Sequence, residues 1–320
     1  MAILVTGAAG FVGLNLLDTL LSRGGEPVVG FDTLPLPPRA AREFAERPGR
    51  LTMVQGDIGE ESALDTAFAA APVTAVIHAA VITAGTERER SAPERIAEVN
   101  VGGAIAVLRA ALRHGVRRFL YISSGSVYGE PPADGGPYDE ATTWPRPLAL
   151  YGITKLAAEQ AVLRLAALEG LSAAVARLGS VFGPWEWATG VRDTLSPALQ
   201  ALDAFACDGE AVLGPVNAVD HVYSRDVAEA LAGLLATPAQ GVFNIGRGTI
   251  TDAADICRAL AKASPEFRWR MAAPGEAFNV TTHMPRRPGM ALQRIKSATG
   301  WQARFDLDTA AKDLLAWRSA

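Results

Sequence analysis

The chain has 320 residues, 49% apolar and 20% charged, which suits one large α/β domain, alone or with a smaller lobe, and excludes a disordered, collagen-like or disulfide-scaffold protein. Thirty Lys and Arg stand against thirty-four Asp and Glu, a net charge of −4 without the basic excess or stripe that a nucleic-acid partner requires. The two cysteines, Cys207 and Cys257, have neither metal-ligand nor CxxC spacing and read as free thiols of a reducing compartment, so no metal is expected.

The chain opens in a strand, Ala2–Thr6, with no basic leader before it, and no apolar run approaches the ~18 residues that span a bilayer. A cytoplasmic protein without a membrane partner is expected. Short apolar runs follow at Pro27–Phe31, Leu51–Gln55, Ala75–His78 and Arg118–Ile122, bounded by Gly, Asp or Ser. Such near-continuous runs suit parallel strands covered on both faces. Helical patterns at Phe11–Arg23, Ser62–Ala69 and Pro93–His114 lie between them, and right-handed crossovers arrange the whole as an α/β, Rossmann-type doubly wound sheet. A helix at Leu150–Leu168 leads to a strand at Ala173–Leu178. Then the rhythm breaks at Pro184, Trp185 and Trp187. A helix at Ser196–Phe205, a helix at Ser224–Leu235, a strand at Val242–Ile245 and a helix capped near Thr251 come next. Met284–Met290 reads as a loop and Leu307–Trp317 as a closing helix. The expected organisation is a nucleotide-binding domain over 1–178, completed by about 215–246, with 179–214 and 247–320 forming mainly a smaller substrate-binding lobe and the closing helix.

Gly7, Gly10 and Gly13 stand at the junction of the first strand and first helix. A diphosphate needs a tight turn, close backbone approach and free N–H groups at a helix N-terminus; these glycines, with Phe11 and Val12 opening the helix, supply all three. The spacing is GxxGxxG, not the more general GxGxxG, and the bland reading is a glycine-rich turn without a ligand. Asp32, ending the second strand, is placed to accept both adenosine ribose hydroxyls and to repel a 2′-phosphate, so NAD is expected over NADP. Its rival reading is an ordinary turn residue. Asp57 and Ile58, after the third strand, suit the adenine edge.

Tyr151 and Lys155 share a helix face at i, i+4 spacing. A phenol ionises near 10, and lowering that by ~3 units takes ~4 kcal/mol of differential stabilisation, which a neighbouring ammonium favours. An isolated YxxxK is common in ordinary helices. This one follows Tyr121-Ile122-Ser123-Ser124-Gly125-Ser126-Val127-Tyr128-Gly129, a strand running into a hydroxyl-rich loop. Together with the three glycines, Asp32, Asp57, His78-Ala79-Ala80, Asn100 and Arg225-Asp226-Val227-Ala228, these residues make the chain resemble the extended short-chain dehydrogenase/reductase superfamily, in its NAD-dependent epimerase/dehydratase branch, over nearly the whole length.

The resemblance implies NAD as cofactor, Tyr151 as acid/base, Lys155 holding the nicotinamide ribose and tuning Tyr151, and Ser124 bonding the reacting oxygen. Ser126 is the rival hydroxyl. Ala79, Ala80 and Leu178 are expected beside the dinucleotide, Asn100 structural or near it, and Thr83, Gly125 and Ser126 toward the substrate. His78 is expected to act through its backbone and Tyr128 by packing. Two positions depart from the family pattern: Ser180 stands where nucleotide-sugar epimerases usually carry a diphosphate-binding Asn, and Val219 where they carry an Arg. Arg177-Leu178-Gly179-Ser180 looks instead like the segment of uronate dehydrogenases, with Arg192 and the Arg286-Arg287 pair as candidate anion contacts; the rival reading makes these arginines surface residues, and Trp185 and Trp187 either wall the pocket or pack the lobe. The expected function is an NAD-dependent oxidoreductase acting on a secondary hydroxyl of a small sugar, sugar acid or polyol. A nucleotide-sugar 4-epimerase that retains NAD is the alternative, and a non-catalytic sensor on the same fold the third reading. The helix from Leu150, apolar around most of its circumference, is expected to cover its outer face by homodimerisation, beside Pro93–His114.

Overall fold

The computed structural model describes residues 2–188, 192–281 and 285–320. Eleven strands occur in chain order among them: β1 (Ala2–Thr6), β2 (Val28–Asp32), β3 (Leu51–Gln55), β4 (Val73–His78), β5 (Arg118–Ser124), β6 (Ser172–Leu178), β7 (Ser180–Phe182), β8 (Ala211–Leu213), β9 (His221–Tyr223), β10 (Gly241–Ile245) and β11 (Trp269–Met271). Seven make a parallel sheet in the order β10-β6-β5-β4-β1-β2-β3. The sequence order turns back between β1 and β4, which opens a crevice outside the carboxyl ends of those strands, where ligands bind in open α/β sheets. The doubly wound expectation therefore holds.

β1 is buried along its entire length, because both of its faces are covered. One apolar cluster joins helix Phe11–Arg23 and helix Ser224–Leu235 to the sheet; a second joins Glu61–Ala69, Ala104–Arg113 and Leu150–Leu168 to its opposite face. A third packs Pro197–Asp208, Ala253–Ala263 and Leu307–Ser319 together, with β8 and β11 as a small parallel ribbon beside it. No helix among the described residues is long and apolar enough to cross a membrane.

Four differences from the sequence reading have local causes. The expected helix Pro93–His114 is three pieces: Pro93–Ala97, a wider π turn at Glu98–Gly103, and Ala104–Arg113. A Cβ at Gly103 would collide with Ile58, and the Asn100 amide is turned outward to Ile82, so the backbone unwinds where those contacts are made. A short helix at Thr86–Ser91, absent from the sequence reading, precedes it. Thr251 does not cap its helix; its backbone pairs with Val219, and Asp252 takes the cap in a reciprocal box with Asp255. Ser196, expected inside a helix, is the cap of Pro197–Asp208 and accepts from Leu199 N. Of the loop Met284–Met290, Met284 lies outside the described residues and Met290 bridges to Tyr138.

Candidate active site

A cleft of about 690 Å3 runs along the carboxyl ends of the strands, lined on one side by the glycine loop and on the other by Leu178–Val181, Thr194–Pro197 and single residues that include Arg192, Val219 and Arg287. Gly7 has φ +69°, and a Cβ there would lie 2.6 Å from Ala80 N, so only glycine lets the two loops touch. A Cβ at Gly13 would overlap the Gly7 carbonyl. Helix Phe11–Arg23 starts at Gly10 with no side-chain cap, which leaves its first N–H groups for whatever enters. Asp32 holds the adjoining turn by accepting from Ala9 N at 2.9 Å and Leu34 N at 3.0 Å. Asp57 is tied to Gly59 N and to Arg95, and these bonds, the backbone one foremost, hold its carboxyl below the ordinary range against partial burial. Gly7, Gly10, Phe11, Val12, Gly13, Asp32, Asp57, Ile58, Ala79, Ala80 and Leu178 all line the cleft. An uncapped helix start, a glycine cradle and a carboxylate at the second strand's end fit a dinucleotide.

For Asn100, the geometry favours the structural one of its two expected roles. The residue stands behind the cleft wall, almost fully buried, with its amide spent on the Ile82 backbone and on Thr154 Oγ1. It fixes the loop after β4 to the helix from Leu150 and has no donor left for a cofactor.

The reacting corner lies where β5 meets that helix. Ser124 ends β5 and accepts from Ser126 N at 3.1 Å; the two hydroxyls are 3.2 Å apart. Tyr151 and Lys155 come in from the helix start. Burial pushes the Tyr151 phenol above its usual value, opposed by hydrogen bonds from Ser124 and Thr83 and by the charge of Arg192. Burial also brings the Lys155 ammonium down to about 7, with the Glu159 carboxylate opposing. Lys155 Nζ donates to Ile122 O and sits 4.6 Å from the Tyr121 ring centroid. Both serines line the cleft, and of the two it is Ser124 that bears on the titration of the Tyr151 phenol, with Ser126 as its neighbour. Gly125 between them faces Met290 so closely that a Cβ would overlap its methyl. His78 is buried at the end of β4, its Nδ1 on Thr6 Oγ1, and burial holds it neutral with its pKa near 3.

One turn past Lys155, Glu159 is fully buried and paired with Arg177, with Ser123 donating to the same carboxylate. Arg177 lies 4.6 Å over the Tyr128 ring, so it faces the core and is no substrate contact; Tyr128 packs against Tyr138 and bonds Asn244. Ser180 and Val219 do line the lobe side of the cleft. Asp220 between their loops takes the backbone N–H groups of Arg247, Gly248 and Met290, which pins three segments to one carboxylate. Arg287 enters from the far side, its Nη1 3.4 Å from Ser126 Oγ and its Nε buried without a partner. Arg192 is held by Glu186 at 2.6 Å. Arg286 is exposed. Trp185 is fully buried between Phe44 and Trp317, so packing accounts for it even though it borders the cleft. Glu159, Glu186 and Asp220 were not found by sequence. Glu159 continues the i, i+4 face of Tyr151 and Lys155, and Glu186 is an acid between two tryptophans; Asp220 has no local signal.

A family model described as "NAD dependent epimerase/dehydratase family" matches residues 3–246. A UDP-glucose 4-epimerase of Mycolicibacterium smegmatis is 31% identical over 96% of this chain and 95% of its own length. UDP-glucuronate 4-epimerase 3 of Arabidopsis thaliana is 28% identical over 99% of this chain and 76% of its own. Among solved structures, MoeE5 in complex with UDP-glucose and NAD superposes with a TM-score of 0.81 at 26% identity, covering 100% of this chain and 99% of that one.

Proposed function

The chain belongs to the NAD-dependent epimerase/dehydratase family, and within it we propose a nucleotide-sugar 4-epimerase that uses NAD. The observation that carries this reading is the end-to-end similarity to a UDP-glucose 4-epimerase at 31% identity. NAD, when bound, would supply reversible hydride transfer at a sugar carbinol carbon, with epimerisation requiring delivery to the opposite face. Asp32 and the glycine loop hold the cofactor, with Ala79, Ala80 and Leu178 along its course; residues 1–178 and 215–246 form its domain, and 179–214 with 247–320 the substrate lobe.

Tyr151 is the acid/base. It takes the carbinol proton and gives it back, and the Ser124 hydroxyl, which lines the same corner of the cleft, holds the reacting oxygen against it. A buried phenol resists ionisation, so the corner needs a cation; Lys155, fixed on Ile122 O, supplies it. Arg287, which lines the cleft with its Nη1 beside Ser126, offers its charge to an anionic part of the substrate. Tyr151→Phe removes only the proton-transfer group and is expected to lower turnover by ~10²–10⁴ with NAD binding retained, read by steady-state assay and by cofactor fluorescence. Near-wild-type turnover would mean another residue moves the proton.

A second reading, an NAD-dependent dehydrogenase of a free sugar, sugar acid or polyol, is favoured by Ser180 and Val219. Neither side chain offers the amide or guanidinium donors that a diphosphate would take, and hydrogen bonds to charged groups are worth ~1.5–3 kcal/mol each. Incubation with UDP-glucose or UDP-galactose decides between the two. Interconversion without net NADH supports the epimerase; NADH accumulation on free sugars, with no UDP-sugar turnover, replaces it. The assembly is a two-fold dimer through the outer face of helix Leu150–Leu168, where Ile153 and Leu168 stand 47% and 58% exposed. A monomeric mass at micromolar concentration by light scattering would refute it.

A further inference from the structure

Two segments of the cleft wall, far apart in sequence, are joined to each other. After β4, Thr83 and Gly85 lead into the short helix Thr86–Ser91, which carries Arg88. On the lobe side, residues 192–194 lead to the cap of helix Pro197–Asp208. Thr83 and Arg192 make a parallel backbone bridge, and Asp193 N donates to Thr83 O at 3.1 Å. The Asp193 carboxylate takes three donors from the facing segment: Gly85 N at 2.9 Å, Arg88 Nε at 2.9 Å and Arg88 Nη2 at 2.7 Å. The two from Arg88 form a fork on both carboxylate oxygens, with side chains 30% and 24% exposed. That is the geometry in which an ion pair outside the core still contributes.

Each half of this joint is fixed to its own side. Glu89, in the same short helix as Arg88, accepts from Tyr151 N at 3.4 Å, which ties that helix to the start of helix Leu150–Leu168. Glu186 accepts from Ser196 N at 2.8 Å, from the Ser196 hydroxyl and from Arg192 Nη1 at 2.6 Å, which ties the facing segment to the lobe. The guanidinium carbon of Arg192 lies 5.1 Å from the ring centroid of Phe11, the first residue of the helix at the glycine loop. Residue 192 thus spans from the loop after β4 to the glycine loop, and the course of the dinucleotide from that loop to Tyr151 runs between the same two walls.

We propose that the Arg88–Asp193 pair is a latch that holds residues 192–194 closed against the loop after β4 and sets the rate at which the dinucleotide enters and leaves. A latch bars entry and exit alike. Its bonds run between protein groups with or without the cofactor, so breaking them speeds both rates by one factor and leaves the binding equilibrium where it was. Loss of a direct cofactor contact behaves otherwise: exit alone speeds up and binding weakens. Stopped-flow fluorescence reads both rates on the full chain, from NADH binding and from NADH displacement by excess NAD. Arg88→Met and Asp193→Asn are each expected to raise both rates roughly fivefold, about 1 kcal/mol, with Kd within about twofold. The double variant should be no faster than either single one, because both remove the same joint. Arg88→Lys keeps the charge without the fork and should fall between parent and Arg88→Met. Unchanged rates in the variants overturn the proposal, and so does a double variant faster by the product of the two single effects. A Kd that weakens in step with the off-rate overturns it too, by making the pair a cofactor contact, as does a parent protein that binds no NADH. No sugar enters these measurements, so their outcome is separate from the choice between epimerase and dehydrogenase.

Discussion

Two glutamate–arginine pairs flank the reacting corner, and they are built differently. Glu159 and Arg177 are 0% and 4% exposed, and Ser123 adds a further donor to the carboxylate. Glu186 is sealed in the same way, but its Arg192 keeps 24% of its side chain open to the cleft. The first pair is closed on itself and holds the strand end, the helix and Lys155 in register. The second spends its acid on the protein and leaves part of its base open to the cleft. A buried charge is tolerated when it is paired, so the closed pair reads as architecture, and the half-open one keeps a partly hydrated guanidinium in the cleft wall.

The largest effect should come from breaking the closed pair. Glu159→Gln leaves the Arg177 charge without its carboxylate, and removing one partner of a buried pair costs ~3–5 kcal/mol. Urea unfolding is expected to show that loss, and the double variant Glu159→Leu with Arg177→Met to recover most of it. If the single variant is as stable as the parent, the pair is not the strut described here. Glu186→Gln should cost less, roughly 1–3 kcal/mol, since Arg192 is partly hydrated and Ser196 keeps its bond to Leu199.

Next in size is a pH effect centred on the closed pair. Lys155 faces His78, the Tyr121 ring, Glu159 and the Ile122 carbonyl, and burial brings its ammonium to about 7. In the unfolded chain the same group titrates near its ordinary ~10.4. Between those values the unfolded state carries the proton that the folded state has released, so unfolding free energy rises with pH from about 7 to about 10. Below 7 both states are protonated and the burial cost stands in full. Tyr151, raised above its usual value, opposes the trend only at higher pH still. In the NAD-free protein, Lys155→Met should flatten this rise; a rise that persists in the variant would place its origin elsewhere.

What was legible in the sequence follows the same division. The glycine loop, Asp32, Tyr151 and Lys155 announce themselves by spacing within one turn or one strand–helix junction, and all of them stand in the cleft. Arg177 was quoted only within a segment resemblance, and its pairing with Glu159 had no sequence signal because the two lie on a strand and a helix 18 residues apart. Glu186 and Asp220 went unseen because each collects donors from segments far apart in sequence, Asp220 from residues 247, 248 and 290. Asn100 was read as structural or near the cofactor, and what separates the two, an amide consumed by Ile82 and Thr154, shows only in the unwound π turn. Local chemistry is written locally; the closing of a pair is not.

The smallest effect concerns a third acid, Asp32, which sharpens the contrast because it is open where Glu159 is closed. Both of its oxygens accept from the neighbouring turn, at Ala9 and Leu34, yet the carboxylate remains at the cleft surface where the adenosine ribose is expected. An unneutralised charge in that position meets a 2′-phosphate in a largely aqueous setting, where two unit charges at ~4 Å differ by only about 1 kcal/mol. Wild-type protein is therefore expected to prefer NAD over NADP, and Asp32→Ala to narrow the gap by roughly fivefold. Part of the change should appear as weaker NAD binding, because the ribose loses its acceptor along with the phosphate's repulsion. Cofactor titration by fluorescence separates the two contributions. Equal affinity of the unaltered protein for both dinucleotides would show that Asp32 serves the turn alone, an acid closed on its own backbone after all.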